Sequence, residues 1–512
     1  MIQLIRMNMF NPRFRYWLLL LVFPFSFLLQ NVNENFGLIG IFSIFHLFFV
    51  YTVVTLFIAV VSRLFFNTYP RALLYAFVLL VIYFLFGVYK DFAKSEQLPP
   101  LFNSYTFVLP LLLVILLLIA AAIKRSNNDF IRVSRAIQFF LVVNAVWETG
   151  WCLYNITTGA QSKKDFGDYH HMVIRDIQPA AGSAKPAVFW IVFDEYANSS
   201  TLKTVWGFSN PLDSALRKKG FFVAGSARSN YNFTHYSIAS TLDMTYLKEL
   251  QNHSIVRLKD LQRGAFSVYD NNVVEMFRKS GYAIRNYSIF PLKDHPTQGM
   301  KEFDYVPELL INFQTFGGRV SKDIGWNFPN ILKADKRKAD SLAVIQSMID
   351  LDTAHKALLS RCLKAVGEER TSSTPSFYLF HFMLPHEPYM YRADGSIAYE
   401  NGYTASARHY IPHLQYTNRI ITQLTDSILS ACRQKNVVVI LQGDHGFRFK
   451  ETDPLYDKES CKTFYAVYCS DADYTPWYHI GSTVNSFRIF FNKYFHTGFR
   501  LLPDTSYNLY YR

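Results

Sequence analysis

The sequence predicts a chain in two parts: five N-terminal membrane-spanning helices, then an α/β domain with a mostly parallel sheet on the far side of the membrane. Two observations carry this. Up to about residue 155 the chain is a series of apolar stretches long enough to span a bilayer, and from Pro186 strand-like apolar runs alternate with amphipathic segments. A third observation gives the second part its chemistry. Three of its apolar runs end in short polar elements: Asp194-Glu195 after Ala187 to Phe193, His386 after Phe377 to Leu384, and Gly443-Asp444-His445-Gly446 after Val437 to Leu441. In an open α/β sheet, ligands bind outside the carboxyl ends of the strands, so these elements can converge although they are far apart in sequence.

The expected spans are Phe14 to Leu29, Leu38 to Val61, Ala72 to Tyr89, Tyr105 to Ile123 and Ala136 to Tyr154. The first is read as uncleaved, because Leu28-Leu29-Gln30-Asn31 offers a signal peptidase no small-x-small site. Arg6, Arg13, Arg15, Arg63, Arg71, Lys124, Arg125, Arg132 and Arg135 all fall in connections on one side, against Lys90 and Lys94 on the other. The positive-inside rule then puts the N-terminus in the cytoplasm and everything after Tyr154 outside. The expectation is a multi-pass protein of the inner (cytoplasmic) membrane with a periplasmic or outer-surface domain. Three units follow: a transmembrane domain over 1–154, a juxtamembrane connector over 155–185 containing His170-His171, and a catalytic domain over 186–512.

The net charge of +13 is mostly topological. Residues 1–164 hold 13 Lys plus Arg against 5 Asp plus Glu, leaving 39 against 34 for the rest. That excess suits anionic headgroups or an anionic substrate, and without a dense basic stripe it disfavours nucleic acid. The five cysteines lack C-x-x-C spacing, so they form no zinc cluster; Cys461 and Cys469 are the one pair near enough to bridge, with two free thiols an equal reading. In the outer domain, helices are expected over Val273 to Ser280, 334–368 and 413–434, the first closed by Gly281 and followed by a strand.

Acidic residues ending a buried strand are costly without a cation, which favours a metal role for Asp194 over a helix cap. Asp444 and His445 read the same way, and His386 reads as functional. His381 reads as a satisfied core imidazole. Thr234 stands in a polar turn leading into a helix start, Ser229-Asn230-Tyr231-Asn232-Phe233-Thr234-His235-Tyr236-Ser237, where free backbone N–H groups favour an anion. Taken alone it suits an N-cap better than a nucleophile. Arg448 suits a substrate oxyanion or a surface salt bridge. Asn144 and Glu148 share one face of the fifth span near its outer end, beside Trp147 and Trp151, which read as an interfacial belt.

The ordered set, an acidic residue after the first strand (Asp194), Thr234 with Ser237 three residues on, His386-Glu387-Pro388 and Asp444-His445-Gly446, resembles the alkaline phosphatase and sulfatase superfamily. The similarity is greatest to its membrane-anchored branch of phosphoethanolamine transferases and lipoteichoic acid synthases. The resemblance implies an alkaline-phosphatase-like domain and a divalent metal ion, zinc or manganese with calcium or magnesium as alternatives, bound by Asp194, Thr234, Asp444 and His445. It further implies Thr234 as nucleophile and His386 as acid or orienting group. Those transferases usually carry Glu where this chain has Asp194, and Glu195 follows at once, so the first ligand is open between the two, with the alignment of the preceding apolar run favouring Asp194. The Cys-x-Pro-x-Arg motif of sulfatases proper is replaced here by Thr234, Tyr236 and Ile238, which argues against sulfate ester hydrolysis. The implied activity is transfer of a phospho-headgroup, of phosphoethanolamine or phosphoglycerol type, from a membrane lipid donor to a glycan or lipid acceptor of the envelope through a phosphothreonine. The alternatives are a phosphoester or sulfatase-like hydrolase and, from another class, a non-catalytic membrane scaffold.

Overall fold

The computed structural model describes residues 12–36, 39–95, 98–158, 185–247, 254–256, 258–300, 306–324, 336–398 and 407–511. Most of the expected connector, with His170-His171, lies outside them, as does Arg6. The N-terminal part is five helices, α1 (Pro12–Glu34), α2 (Ile41–Phe65), α3 (Tyr69–Ser95), α4 (Tyr105–Arg125) and α5 (Ile131–Thr157), one for each expected span. Four of them, all but α1, are long and apolar enough to cross a membrane by length and composition. α1 contains Pro24 and ends in the polar run Gln30 to Glu34. α4 and α5 bury only 11% and 6% of their apolar windows. So much apolar surface is stable only in lipid, where a helix also satisfies its own backbone. Near the outer end of α5, Glu148 accepts from Asn33 Nδ2 of α1 at 2.7 Å, so this carboxylate serves helix packing.

The second part is built on strands β1 (Ala187–Phe193), β2 (Phe222–Val223), β3 (Ile255–Val256), β4 (Ala283–Tyr287), β5 (Ser376–Phe382), β6 (Val437–Gly443), β7 (Tyr465–Cys469) and β8 (Tyr510–Tyr511). Its main helices are α6 (Thr234–Asp243), α7 (Asn272–Lys279), α8 (Leu309–Asn312), α9 (Phe316–Ile324), α10 (Lys336–Glu369) and α11 (Tyr410–Ala431). The main sheet runs β2-β7-β6-β1-β5-β4, parallel over β6, β1, β5 and β4, with β7 and β2 antiparallel at one edge. Every residue of β1, β5 and β6 is buried, as continuous apolar runs in a covered parallel sheet require. Gly281, at φ +79°, turns the chain from α7 into β4, a left-handed step that glycine takes without strain. Phe277 of α7 stacks on Phe377 of β5 at 4.3 Å, seating that helix on the sheet. All five cysteines are unpaired, Cys461 and Cys469 included.

Register positions the site. β1 is central, with Val192 level with His381 of β5 and Phe193 level with both Phe382 of β5 and Gly443 of β6. The ladder runs on past the strand ends: Asp194 N–H donates to Phe382 O at 3.0 Å, and Asp444 N–H to Phe193 O at 3.3 Å. Asp194 and Asp444 are therefore neighbours for backbone reasons.

The outer domain is seated on the bundle by α8 and α9, which form a hairpin. Ser43 near the start of α2 hydrogen-bonds Glu308, and Tyr51 donates to Asn312 Oδ1 at 2.7 Å, so the chain sinks along α2 by about 12 Å at 1.5 Å per residue. It returns along α3: Gly87 N–H donates to Gln314 O at 2.8 Å, and Arg319 pairs with Asp91. Leu310 and Ile311 join one apolar cluster with Leu47, Tyr51, Leu80 and Phe84. Tyr105 of α4 donates to Asp323 at 2.7 Å. These contacts lie at the ends of α2, α3 and α4 opposite Arg63, Arg71 and Lys124, so the domain sits on the side away from the basic connections.

Gly87 makes this docking fit, since a Cβ there would lie 2.1 Å from Phe313 O. Gly87→Ala should unseat the hairpin at a cost of about 1–3 kcal/mol, typical of overpacking. The expected readout is a lowered unfolding temperature of the detergent-solubilised chain with faster proteolysis between the two parts; an unchanged protein would show that the hairpin does not hold them together.

Candidate active site

The turn before α6 is fixed by side chains. Asn232 Nδ2 donates to the Tyr456 hydroxyl at 2.8 Å, and its Oδ1 accepts from Leu509 N–H at 2.8 Å. α6 begins at Thr234, with Phe233 as an extended N-cap that makes no side-chain capping bond. Thr234 is thus the first helical residue and not the cap, at an N-terminus suited to an anion. α6 is buried along its whole length.

Beside it lie the strand-end groups. Asp194 is 1% exposed and neither carboxylate oxygen has a hydrogen-bond partner; the His445 and His381 Nε2 atoms are 3.6 and 3.8 Å away. Asp444 Oδ1 accepts from the N–H groups of Glu195 at 2.9 Å and His445 at 2.7 Å, while Oδ2 has no partner. The Thr234 hydroxyl is within reach of the same carboxylate. Both ring nitrogens of buried His381 also lack a partner. Asp194, His381 and Asp444 each offer a ligand atom, and these lie within 4.8 Å of one another. His381 is therefore no satisfied core imidazole, as the sequence reading had it. Its signal was present: it is the one imidazole in an otherwise mostly apolar and aromatic run, one residue before the end of β5.

The electrostatics expose the strain of this cluster. Burial, then the charge of Asp194, pushes Asp444 up to about 7. Burial would raise Asp194 as well, but His386, His381 and His445 hold it below the usual carboxylate range. Burial and the Arg448 guanidinium bring His445 and His235 each down to about 4. Half-buried His386 is held above its ordinary value by Asp194 and Glu195 against the opposite pull of burial. Two adjacent buried carboxylates with orphaned oxygens, and an imidazole orphaned at both nitrogens, fit a divalent cation by donor type and by need.

Glu195 turns elsewhere. In a left-handed conformation, φ +62°, its Oε1 accepts from the Tyr389 hydroxyl at 3.0 Å and from Arg448 N–H at 2.9 Å, while its carbonyl accepts from the Tyr410 hydroxyl at 2.7 Å. Tyr389 and Tyr410 were missed from sequence, and nothing in their spacing marks them. His445 shares a hydrogen bond with Gly446 O through Nδ1, at 2.7 Å, and accepts from Arg448 Nη2 at Nε2, also at 2.7 Å. The Arg448 guanidinium rests 5.1 Å above the centre of the Phe233 ring, next to Thr234. His386 sits at the rim, its Nδ1 2.6 Å from Glu387 O, outside the trio.

A family model described as Sulfatase matches residues 210–486, more than half of the chain and all of the site except the β1 end. The chain belongs to the sulfatase family. It is a membrane enzyme of sulfatase-like type, within the alkaline phosphatase and sulfatase superfamily that its motifs resemble. No curated protein matches this chain. Among solved structures, the lipooligosaccharide phosphoethanolamine transferase A of Neisseria meningitidis is similar over 92% of this chain and 93% of its own, at 14% identity and TM-score 0.38. The C-terminal periplasmic domain of EptC from Escherichia coli covers 63% of this chain and 86% of its own, at 11% identity and TM-score 0.37. A 2-O glycosaminoglycan sulfatase, BT1596, covers 64% and 73%, at 11% identity and TM-score 0.34.

The glycine of Asp-His-Gly is set by backbone crowding. A Cβ on Gly446 would lie 2.6 Å from both Glu459 O and Lys462 O. Gly446→Ala should destabilise the α/β domain by about 1–3 kcal/mol. Chemical unfolding followed by fluorescence checks it, and wild-type stability would refute the crowding.

Proposed function

We propose that the protein transfers a phospho-headgroup, of phosphoethanolamine or phosphoglycerol type, from a membrane lipid to a glycan or lipid acceptor of the cell envelope, with Thr234 as the covalent nucleophile. One observation carries the reading: Thr234, at a buried helix N-terminus without a side-chain cap, has its hydroxyl within reach of the Asp444 carboxylate, which strand pairing sets beside the orphaned carboxylate of Asp194. Asp194, Asp444 and the Thr234 hydroxyl oxygen would hold the cation, with His381 added from the geometry and His445 joining once Arg448 releases its Nε2. The mixed oxygen and nitrogen set suits zinc or manganese. Bound there, the ion would supply Lewis-acid charge neutralisation and a lowered hydroxyl pKa.

The residues divide the work. Thr234 Oγ1 attacks the donor phosphorus in line as its proton passes to the Asp444 carboxylate. The new O–P bond replaces the bond to diacylglycerol, whose oxygen takes a proton from His386. Arg448 swings from His445 to a phosphoryl oxygen, its stacking on Phe233 keeping it close to Thr234. In the second half His386 accepts the proton of the incoming acceptor, and Thr234 leaves with the proton held by Asp444. Tyr389, through Glu195, fixes the backbone of Arg448. The basic connections favour an orientation with the site on the periplasmic side of an inner-membrane bundle, where both lipid and envelope acceptor would be at hand.

With a fluorescent phosphatidylethanolamine donor, wild type should release diacylglycerol and carry a phospho-adduct on the Thr234 peptide. Thr234→Ala should fold yet lose turnover by roughly three orders of magnitude or more. Undiminished turnover, or an adduct on Ser237, would remove Thr234 from the role; turnover with water alone would make the enzyme a hydrolase.

A further inference from the structure

Where the α8–α9 hairpin returns to the outer end of α3, two ammonium groups distant in sequence come together. Lys322 Nζ lies 3.2 Å from the Tyr511 hydroxyl and 5.9 Å from the centre of that ring, and Lys94 Nζ of α3 lies 5.3 Å from the same centre. Neither is ion-paired among the described residues, and the nearby carboxylates are engaged. Asp91 is held by Arg319, Asp323 by Tyr105, and Glu451 accepts from Tyr511 N–H at 3.0 Å. Two ammoniums around one ring repel each other, and an anion between them relieves the repulsion. Their height chooses the anion. The apolar run of α3 ends at Tyr89, so Lys94 stands about 7 Å beyond it at 1.5 Å per residue, the level of lipid headgroups. Just below, Val88 and Phe92 of α3 are 51% and 54% exposed.

We propose that Lys94 and Lys322, against the Tyr511 ring, bind the phosphate of an anionic membrane lipid. A lysine ammonium is a compact charge that takes phosphate without demanding a fixed geometry, and its stem lets the charge reach the headgroup layer. The site is separate from the Asp194 cluster and holds whether or not the transferase reading does. It is joined to the nucleophile turn through one strand, since Leu509, two residues before Tyr511, clasps Asn232, two residues before Thr234. A bound lipid thus steadies the strap that steadies the turn.

Native mass spectrometry of the full-length chain from phosphatidylcholine micelles doped with phosphatidylglycerol tests this. Wild type should retain phosphatidylglycerol; Lys94→Gln with Lys322→Gln should weaken retention roughly thirtyfold, and Lys94→Arg with Lys322→Arg should restore it. Equal retention by the glutamine variant would overturn the site. Displacement of the lipid from wild type by soluble glycerol phosphate would also overturn it, making the ligand a free phosphate. Added salt provides a check on wild type alone, should the variants misfold: retention must fall as salt rises, and salt-insensitive retention contradicts a charge-held phosphate.

Discussion

The placement of two carboxylates side by side in a dry pocket is the constraint on which the rest depends. Parallel pairing of β1 with β6 brings Asp194 against Asp444, and pairing of β1 with β5 brings His381 level with Val192. The two cannot readily be charged together there: neighbouring imidazoles hold Asp194 below the usual carboxylate range, while burial and the charge of Asp194 push Asp444 up. A fold that buries uncompensated charge at strand ends is unstable unless something compensates it, and a divalent cation bound near the start of α6 would do so. The surrounding contacts serve that placement. Tyr389 and Tyr410 pull Glu195 out of the cluster, and Gly443 and Gly446 let the β6 turn pass between neighbouring backbones.

A second constraint is the height of the site above the bilayer. The α8–α9 hairpin is the catalytic domain's own grip on the bundle, independent of the connector that precedes β1. Its buried Arg319 pairs with Asp91 of α3 and lies 3.7 Å from Asp323. Such a buried pair costs several kcal/mol to break from one side, roughly 3–5, so the domain is held at one orientation. On the proposed transferase reading, that rigidity would keep Thr234 at a fixed distance from the lipid surface.

Much of this was legible in the sequence. Apolar length gave the helices of the bundle, continuous apolar runs gave β1, β5 and β6, and Gly281 marked the return from α7 into β4. Asp194, Thr234, Asp444 and His445 could be singled out as candidates because each lies at a strand end or opens a helix. His381 was misread because a lone imidazole in a strand looks like a packed one; only register shows that it faces Asp194. The choice between Asp194 and Glu195 was undetermined for a similar reason: it turns on the left-handed conformation of Glu195 and on tyrosines from two distant segments. The hairpin was illegible, since Leu309 to Asn312 is too short to carry a periodic signal and its partners lie more than two hundred residues earlier.

The most direct test of the account is the metal content of the full-length protein in three forms, measured by elemental analysis after gel filtration. Wild type and Glu195→Gln should both carry near-stoichiometric divalent metal, and the variant with both Asp194→Asn and Asp444→Asn should carry almost none. Metal that survives the double substitution, or that is lost with Glu195→Gln alone, would contradict the assignment of the orphaned carboxylates as its ligands.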